Sequence, residues 1–533
     1  MNKFKIPYDE NLHFSKKDLS YIQLDEGLKP FYKYPPDLDS VEKVISDKTR
    51  EYSRERREVL VSDLRKQYLD MPKDSAAEEQ LDLLEQDRTF TVCTAHQPCL
   101  LTGPLYVIYK ICSTLRLAGE LKQKYPNFNF VPVFISGGED HDLEEINHFY
   151  LYGKKIEWDT SQEGSVGRMS LEGIDEIIGQ VKEFAGNSNY AAEAVDLLLA
   201  AKSGTNNYGA FFRRLISLIF KESGLLILNM DRFHLKKSAS EIFREDLVDQ
   251  TSKKLVTQTQ EELQDLGFSM QAYARKINLF YFHEGQRLRI EKINDQYQLV
   301  DTSIVFSESE LLNILEKHPD RFSPNVVLRP LYQEYILPNL AYVGGGGELA
   351  YWIERNSQFE HFGINFPMLI RRNSVFWIDH IGTKNLKQLE LNGPEIFKGL
   401  DHVINDYVLE EAEEEISLSE EKNELNDLFE RIEKKAAKLD QSILKTIRAE
   451  EVKHLKSIDH LEHKLLKAKK QQLEIKINKI KKVHEKLFPM NKPQERVDNF
   501  LMYYFRMGPE WISLLTNSLN PMDKEVLVFQ EEG

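Results

Sequence analysis

The chain has 533 residues, 41% of them hydrophobic, and a formal net charge of −16. Such a length predicts two to four modules with enough apolar material to fill their cores. The acidic excess argues against nonspecific attachment to nucleic acid or to anionic membranes, since both attractions come from clustered Lys and Arg. The N-terminal MNKFKIPYDENLHFSKK has no apolar signal core, and no apolar run approaches the roughly 20 residues that span a bilayer; the expected place is the cytoplasm, with no nucleic acid or membrane as partner. Cys93, Cys99 and Cys112 form no CxxC pair and are odd in number, so neither a disulfide framework nor a structural zinc cluster is indicated.

Residues 1–88 are polar and mostly helical in pattern, with Val59, Leu60, Leu64, Tyr68, Leu81 and Leu84 as apolar positions in a charged stretch, as expected of helices that wrap a core. A strand follows at Thr89–Thr94, then a loop, Ala95–Gly103, and a helix predicted to begin at Gly103-Pro104, where proline suits the first turn. Ile108, Ile111, Leu115 and Leu117 keep the helical period. A helix N-terminus reached from a glycine-containing loop attracts phosphates and carboxylates, so Gln97, Thr102 and Gly103 are candidate ligand contacts. Cys99 lies in this loop three residues from His96, the pattern of a thiol beside an activating base. Cys93 and Cys112 read as plain core.

About one βαβ unit later comes VPVFISGGEDHDLEEINH, the most informative stretch of the chain. Val131–Ile135 is uncharged and rich in β-branched and aromatic residues, as in a strand buried on both faces of a parallel sheet. Gly137 and Gly138 end it. Glu139, Asp140, His141 and Asp142 then fall beyond its carboxyl end, where open α/β sheets collect ligands, and Asn147 and His148 would support them. With a helix starting near Asp140, His141 and His148 would share one face, a spacing that suits zinc. Capping by Asp140 or Asp142 explains the same residues without an ion, and no metal is assigned.

Residues 155–204 turn polar and glycine-rich, an insertion between sheet strands. A buried strand at Leu225–Asn229 ends at Asp231, and residues 235–323 form a second insertion, where INLFYFHEGQRLRIEKINDQYQLVD alternates as an antiparallel hairpin unit. AYVGGGGELAYW sets Gly344–Gly347 before Glu348 and a new helix; glycines let backbone approach a ligand closely, which singles out Gly345 and Gly346. The strand Phe366–Ile370 then ends in Arg371, Arg372, Asn373 and Ser374, and a guanidinium fork matches phosphate oxygens.

No proline occurs between Pro394 and Pro489 and no glycine between Gly399 and Gly508. Leu418, Leu425, Ile432 and Leu439 repeat every seventh residue, as do Leu466, Leu473, Ile480 and Leu487 in a shifted phase. This predicts an antiparallel coiled-coil arm over 401–488, glutamate-rich in its first half and lysine-rich in its second, that mediates a homodimer. The core would then cover 1–400, and 489–533 would return to it. In LFPMNKPQER the residues Lys492, Gln494 and Arg496 could close a second anionic-ligand pocket; the plainer reading is a helix stop with Arg496 in a structural salt bridge.

Four of these stretches, TAHQPCLLTGPLYVIYK, GGEDHDLEEINH, LRPLYQEYILPNLAYVGGGGELAYW and LFPMNKPQER, together closely resemble the bacillithiol biosynthesis cysteine-adding enzyme family, over nearly the whole chain. The resemblance implies an α/β fold: a Rossmann-like parallel sheet core similar to class I aminoacyl-tRNA synthetases, with connecting insertions and a long α-helical coiled-coil arm. It implies a ligase that adds L-cysteine to glucosaminyl malate through an amide bond, linked to ATP, with ATP or ADP bound. It implies catalytic roles for His96, Asp140 and His141, and substrate contacts from Gln97, Thr102, Gly103, Glu139, Asp142, Asn147, His148, Gly345, Gly346 and Glu348. Nucleotide contacts would come from Arg371, Arg372, Ser374, Lys492, Gln494 and Arg496. The cysteine that matters in this family is the substrate, not Cys99. The synthetase likeness is incomplete, because Leu101-Thr102-Gly103-Pro104 replaces His-Ile-Gly-His and no Lys-Met-Ser-Lys-Ser loop is present, so adenylate formation is not implied. The competing class is a non-catalytic nucleotide-binding assembly protein worked by its coiled coil; the density of polar groups at the strand ends argues for the enzyme.

Overall fold

The computed structural model describes residues 1–8, 12–411 and 417–533. In chain order its strands are β1 (Asn2–Pro7), β2 (Thr89–His96), β3 (Asn129–Ser136), β4 (His148–Leu151), β5 (Lys154–Glu157), β6 (Leu226–Asn229), β7 (Leu279–His283) and β8 (Gln286–Ile293). They continue with β9 (Gln296–Leu299), β10 (Val305–Phe306), β11 (Phe322–Pro324), β12 (Asn339–Gly344), β13 (Met368–Arg371), β14 (Val375–Ile378) and β15 (Glu525–Gln530). The chain divides into two compact units, one of Lys5–Phe376 with Lys492–Leu527, the other of Met1–Phe4, Trp377–Asn491 and Val528–Gly533. The division falls at Trp377 rather than at 401.

The larger unit is built on five parallel strands in the order β13-β12-β2-β3-β6. Alternation along β2 sends Cys93 and Ala95 to one face, with Val131, Val133 and Ile135 of β3 and the helical residues Leu60, Leu64, Leu81 and Leu84. Phe90 and Val92 point to the other face, where Leu117 and Leu121 of the helix Tyr106–Lys124 pack with Val44 and Ile45. Both faces are therefore covered, which is why the strands carry almost no charged side chains. The polar N-terminal stretch forms the expected helices: Ser53 accepts from the Arg56 amide to start Arg54–Tyr68, and Asp74 accepts from the Ala76 and Ala77 amides to start Ser75–Leu84. Each such cap stabilises by about 1 kcal/mol.

Parallel register aligns the carboxyl ends of the strands. His96 lies beside Ser136, Ser136 beside Asn229, and Gly344 beside Arg371. Between β6 and β12 an antiparallel sheet of order β10-β9-β8-β7-β11 is inserted, with tight hairpins at Glu284-Gly285 and Asn294-Asp295. All four of these turn residues have positive φ, between 47° and 83°, as two-residue hairpin turns require. The other insertion holds the hairpin β4-β5 and the helices Ile174–Ala185 and Ala191–Lys202. Strands β1, β15 and β14 pair in that order as a three-stranded sheet.

In the smaller unit the helices Ser419–Ala436 and Leu444–Gln472 form an antiparallel hairpin, tied by Lys422 to Glu462 at 2.7 Å and by Arg448 to Glu433 at 2.8 Å. Part of the glutamate-rich run, residues 412–416, lies outside the described residues. The expected seven-residue repeat needs correction. Phe429 and Ala436 are the buried residues of the first helix, whereas Ile432 is exposed and Leu439 is 85% exposed. The helix ends at Ala436, leaving Leu439 in the turn. At 3.6 residues per turn, a straight helix also drifts away from a strict seven-residue stripe. In the later set the chain breaks at Leu473, and Ile480 and Leu487 are buried with Ile477 and Val483 in the helix Glu474–Leu487. That helix packs on His380–Gln388 and Leu400–Glu410 of its own unit.

Candidate functional site

At the carboxyl ends of β2 and β3 a cavity of about 500 Å³ opens, lined by His96, Gln97, Glu139, Asp140, His141, Glu145, Arg287, Arg329, Glu348 and Tyr351 among others. Its size is that of a small-molecule site. All three residues expected to be catalytic line it, as do Gln97, Glu139 and Glu348. Two glycines make the turn out of β3: the Gly137 amide donates to the His96 carbonyl at 2.8 Å, and the Gly138 carbonyl accepts from the Gly167 amide at 2.9 Å. A Cβ on Gly167 would stand 2.6 Å from that same Gly138 oxygen, so only glycine fits this crossing.

His96 is fixed at both ring nitrogens. Nδ1 lies 2.9 Å from the Gln97 carbonyl and Nε2 lies 3.1 Å from the Tyr106 hydroxyl; Nδ1–H donating and Nε2 accepting satisfies both in a neutral ring. Burial, helped by the nearby Lys110 ammonium, pushes its pKa down to about 4. Asp140 accepts from the Gln97 amide, lies 3.5 Å from an Arg287 nitrogen and 3.6 Å from His141 Nδ1, and accepts from the His141 backbone amide at 2.8 Å. His141 itself is about half exposed, lines the cavity, and has its Nδ1 3.2 Å from an Arg287 nitrogen. Glu348 lies 2.7 Å from Lys110, and burial, which would raise its pKa, is outweighed by that ammonium, so the carboxyl sits below the usual range. It also accepts from the Gly345 amide at 2.8 Å, capping the helix Gly346–Trp352. Glu139 is buried against Lys236 at 2.6 Å, and Lys236 reaches Asp231 at 2.6 Å as well. Burial opposes the Lys236 charge, but the two carboxylates outweigh it and raise its pKa.

Several expected contacts lie elsewhere. The helix forecast from Asp140 is only Leu143–Ile146, and His148 begins β4, so His141 and His148 share no helix face. Asn147 bonds Glu157 at 3.3 Å and His148 bonds Asn147 at 3.1 Å, away from the cavity wall. Asp142 is exposed at the start of that short helix. The helix after β2 begins at Tyr106, not Gly103, and its entry is covered: the Leu105 amide donates to the Asp498 carbonyl, and the Asn499 side chain donates to the Leu101 and Gly103 carbonyls at 2.9 and 2.7 Å. Thr102 is buried there with φ of 70°. Cys99 is buried 3.5 Å from His96 Nδ1, and burial pushes its thiol up to about 12, which removes the thiolate a nucleophile needs.

The glycine loop does come close to a charged group, but that group belongs to the protein. A Cβ on Gly346 would lie 2.1–2.4 Å from the Asp18 carboxylate, which pairs with Arg371 at 3.1 Å. Arg372 makes a two-pronged pair with Glu495 at 2.7 and 2.8 Å, and Ser374 donates to the same carboxylate at 3.2 Å. Arg371, Arg372 and Ser374 are all buried, as is Gln494, while Lys492 and Arg496 are exposed. The structural salt bridge expected of Arg496 is made by its neighbour Glu495. Sequence reading missed Arg287, Arg329 and Tyr351. Arg287 arrives on β8, held over the Phe280 ring at 4.0 Å and bonded to Ser323 and the Pro324 carbonyl at 2.9 and 3.0 Å. Its only sequence signal was an arginine pair, Arg287 and Arg289, in the alternating hairpin.

Residues 1–373 match the family described as Bacillithiol biosynthesis BshC, N-terminal Rossmann-like domain, and residues 377–531 match its C-terminal coiled-coil domain. A protein of Flavobacterium psychrophilum is 38% identical over 97% of both chains, and one of Cytophaga hutchinsonii is 34% identical over 97% of both. One of Bacillus cereus is 28% identical over 92% of this chain and 94% of its own. Each is named "Putative cysteine ligase BshC".

Proposed function

The chain belongs to the bacillithiol biosynthesis BshC family, and from that premise we propose that it joins L-cysteine to the amine of glucosaminyl malate, with the cavity at the ends of β2 and β3 as the place of reaction. The observation that carries this is the convergence of His96, Gln97, Asp140, His141 and Glu348 on one cavity of ligand size. Family membership does not favour the alternative of a non-catalytic assembly protein.

The two histidines take different parts in this reading. A base with a pKa near 4 has little drive to hold a proton at neutral pH, and His96 Nε2 is already engaged by Tyr106. We assign it to positioning Gln97 and Tyr106 at the cavity wall. His141, open to the cavity and beside Asp140, is assigned to take the proton from the attacking amine. Making an amide from a free carboxylate in water is uphill, so activation linked to ATP belongs to the proposal. Arg371 and Arg372 are given no step in it, because Asp18 and Glu495 engage them. A homodimer is also proposed, through exposed apolar pairs one helical turn apart on the coiled-coil hairpin, Leu428 with Ile432 and Leu461 with Leu465.

The test is ATP-dependent formation of the cysteinyl amide from cysteine and glucosaminyl malate, followed by mass spectrometry. Asp140→Asn and His141→Ala are expected to lower the rate by about 100-fold or more with stability within about 1 kcal/mol of the parent, since both side chains are more than a third exposed. Near-normal product from both variants would overturn the site assignment.

A further inference from the structure

We propose that Arg329 is the residue that receives a substrate carboxylate in this cavity, an assignment that rests on the ligase reading above. Arg329 is the first residue of the helix Arg329–Ile336, and its own amide donates to the Asn325 carbonyl at 2.8 Å. Its guanidinium is held by neutral groups: Nη1 donates to Gln333 Oε1 at 3.1 Å, one turn further on, and Nη2 donates to the Tyr351 hydroxyl at 3.0 Å.

The charges of the cavity wall show why this side chain stands apart. Glu139 is answered by Lys236, Glu348 by Lys110 and Asp140 by Arg287. Among the described residues, no carboxylate lies within 4.0 Å of the Arg329 guanidinium nitrogens. Tyr351, its partner, also lines the cavity. A guanidinium has five N–H groups in a planar fork, and the bonds to Gln333 and Tyr351, with Tyr342 also against it, fix its plane without using them all. A cation set rigidly in a cavity wall, which shares the influence of Glu348 with Lys110 but makes no ion pair of its own with it, matches an incoming carboxylate in shape and charge. Cysteine has one carboxylate and the malate portion of the acceptor has two, so the shared chemistry is a carboxylate and the source is open to measurement.

The experiment measures, on the full chain, calorimetric Kd values for cysteine and for glucosaminyl malate, with cysteamine and methyl glucosaminide as the matching probes that lack carboxylates. Arg329→Gln is expected to weaken one carboxylate-bearing substrate by about tenfold to a hundredfold, and Arg329→Lys to restore only part of it, because an ammonium lacks the fork. A loss for glucosaminyl malate that is absent for methyl glucosaminide assigns the malate. A loss for cysteine that is absent for cysteamine assigns the amino acid. Unchanged Kd values for both substrates in a folded variant would overturn the proposal. Should Arg329→Gln not fold, the parent protein still decides: equal affinity for each substrate and its carboxylate-free probe overturns it. A parent protein that binds both substrates but forms no amide would sink the ligase reading while the binding data still support Arg329.

Discussion

Replacing Glu495 with Ala tests whether the arginines after β13 hold the fold together or await a phosphate. Glu495 is 1% exposed and accepts two bonds from Arg372, one from Ser374 Oγ at 3.2 Å and one from the Val375 amide at 3.3 Å. Removing one partner of such a pair leaves a guanidinium buried without its counterion, which costs about 3–5 kcal/mol. With unfolding entropy of about 2.1 cal/mol/K per residue across the larger unit, that loss lowers Tm by about 5 °C. The assay is thermal unfolding by circular dichroism, with urea denaturation beside it. A double variant, Arg372→Met with Glu495→Leu, should regain most of the loss, since a buried pair exchanged for apolar groups of similar volume is often neutral. Burial raises the Glu495 pKa but Arg372 outweighs it, so the carboxyl sits below its ordinary value. The stabilisation is therefore present above the unfolded carboxyl pKa of about 4.3 and is lost as pH falls through the lower folded value. A Glu495→Ala protein that melts with the parent at neutral pH would refute the reasoning and return Arg372 to the pool of phosphate ligands.

Three further outcomes are expected. His96, with its pKa pushed down to about 4, stays neutral in the folded chain while the unfolded chain takes up a proton below about 6.5; stability is lost as pH falls from about 6.5 to 4, by about 3 kcal/mol at most, and a His96→Gln variant whose stability is no flatter over that window would count against it. Gly346→Val drives a side chain into the Asp18 carboxylate, and should cost about 1–3 kcal/mol; an unmoved urea midpoint would show that the loop has room. For the proposed dimer, Leu428→Asp with Leu461→Asp, both exposed sites, should release monomers in sedimentation, whereas aspartate at the buried Ile480 should unfold the unit; a parent chain that is monomeric at micromolar concentration ends the idea.

What the sequence reveals here is local. Val131–Ile135 and Leu225–Asn229 could be read as strands because a strand buried on both faces needs apolar residues at every position, and His96, Asp140, His141 and Glu348 could be placed because they lie at or just past strand ends. Arg287 and Arg329 could not, since they reach the cavity from an insertion and from a helix start whose positions depend on tertiary packing. The protein partners of Arg371 and Arg372 were illegible for the same reason. A strand ending in two arginines looks alike whether phosphate or protein answers it, and their partners, Asp18 and Glu495, lie 353 and 123 residues away. The coiled-coil repeat was found by its period, but its phase depended on where the first helix stops.

The long separation of Arg372 and Glu495 has a bearing on how this protein is made. A ribosome adding about 5–20 residues per second completes the central strands, including β13, and must then build the entire coiled-coil excursion before Glu495 emerges, 123 residues later. For about 6–25 seconds the nascent sheet carries an arginine destined for burial with no acid to meet it. A longer wait, about 20–80 seconds, applies to Leu101 and Gly103, whose carbonyls are met by Asn499, 398 and 396 residues later. The pieces that close this part of the larger unit are thus translated only after the coiled coil, and a chain truncated anywhere in the coiled coil would leave the unit with an open seam.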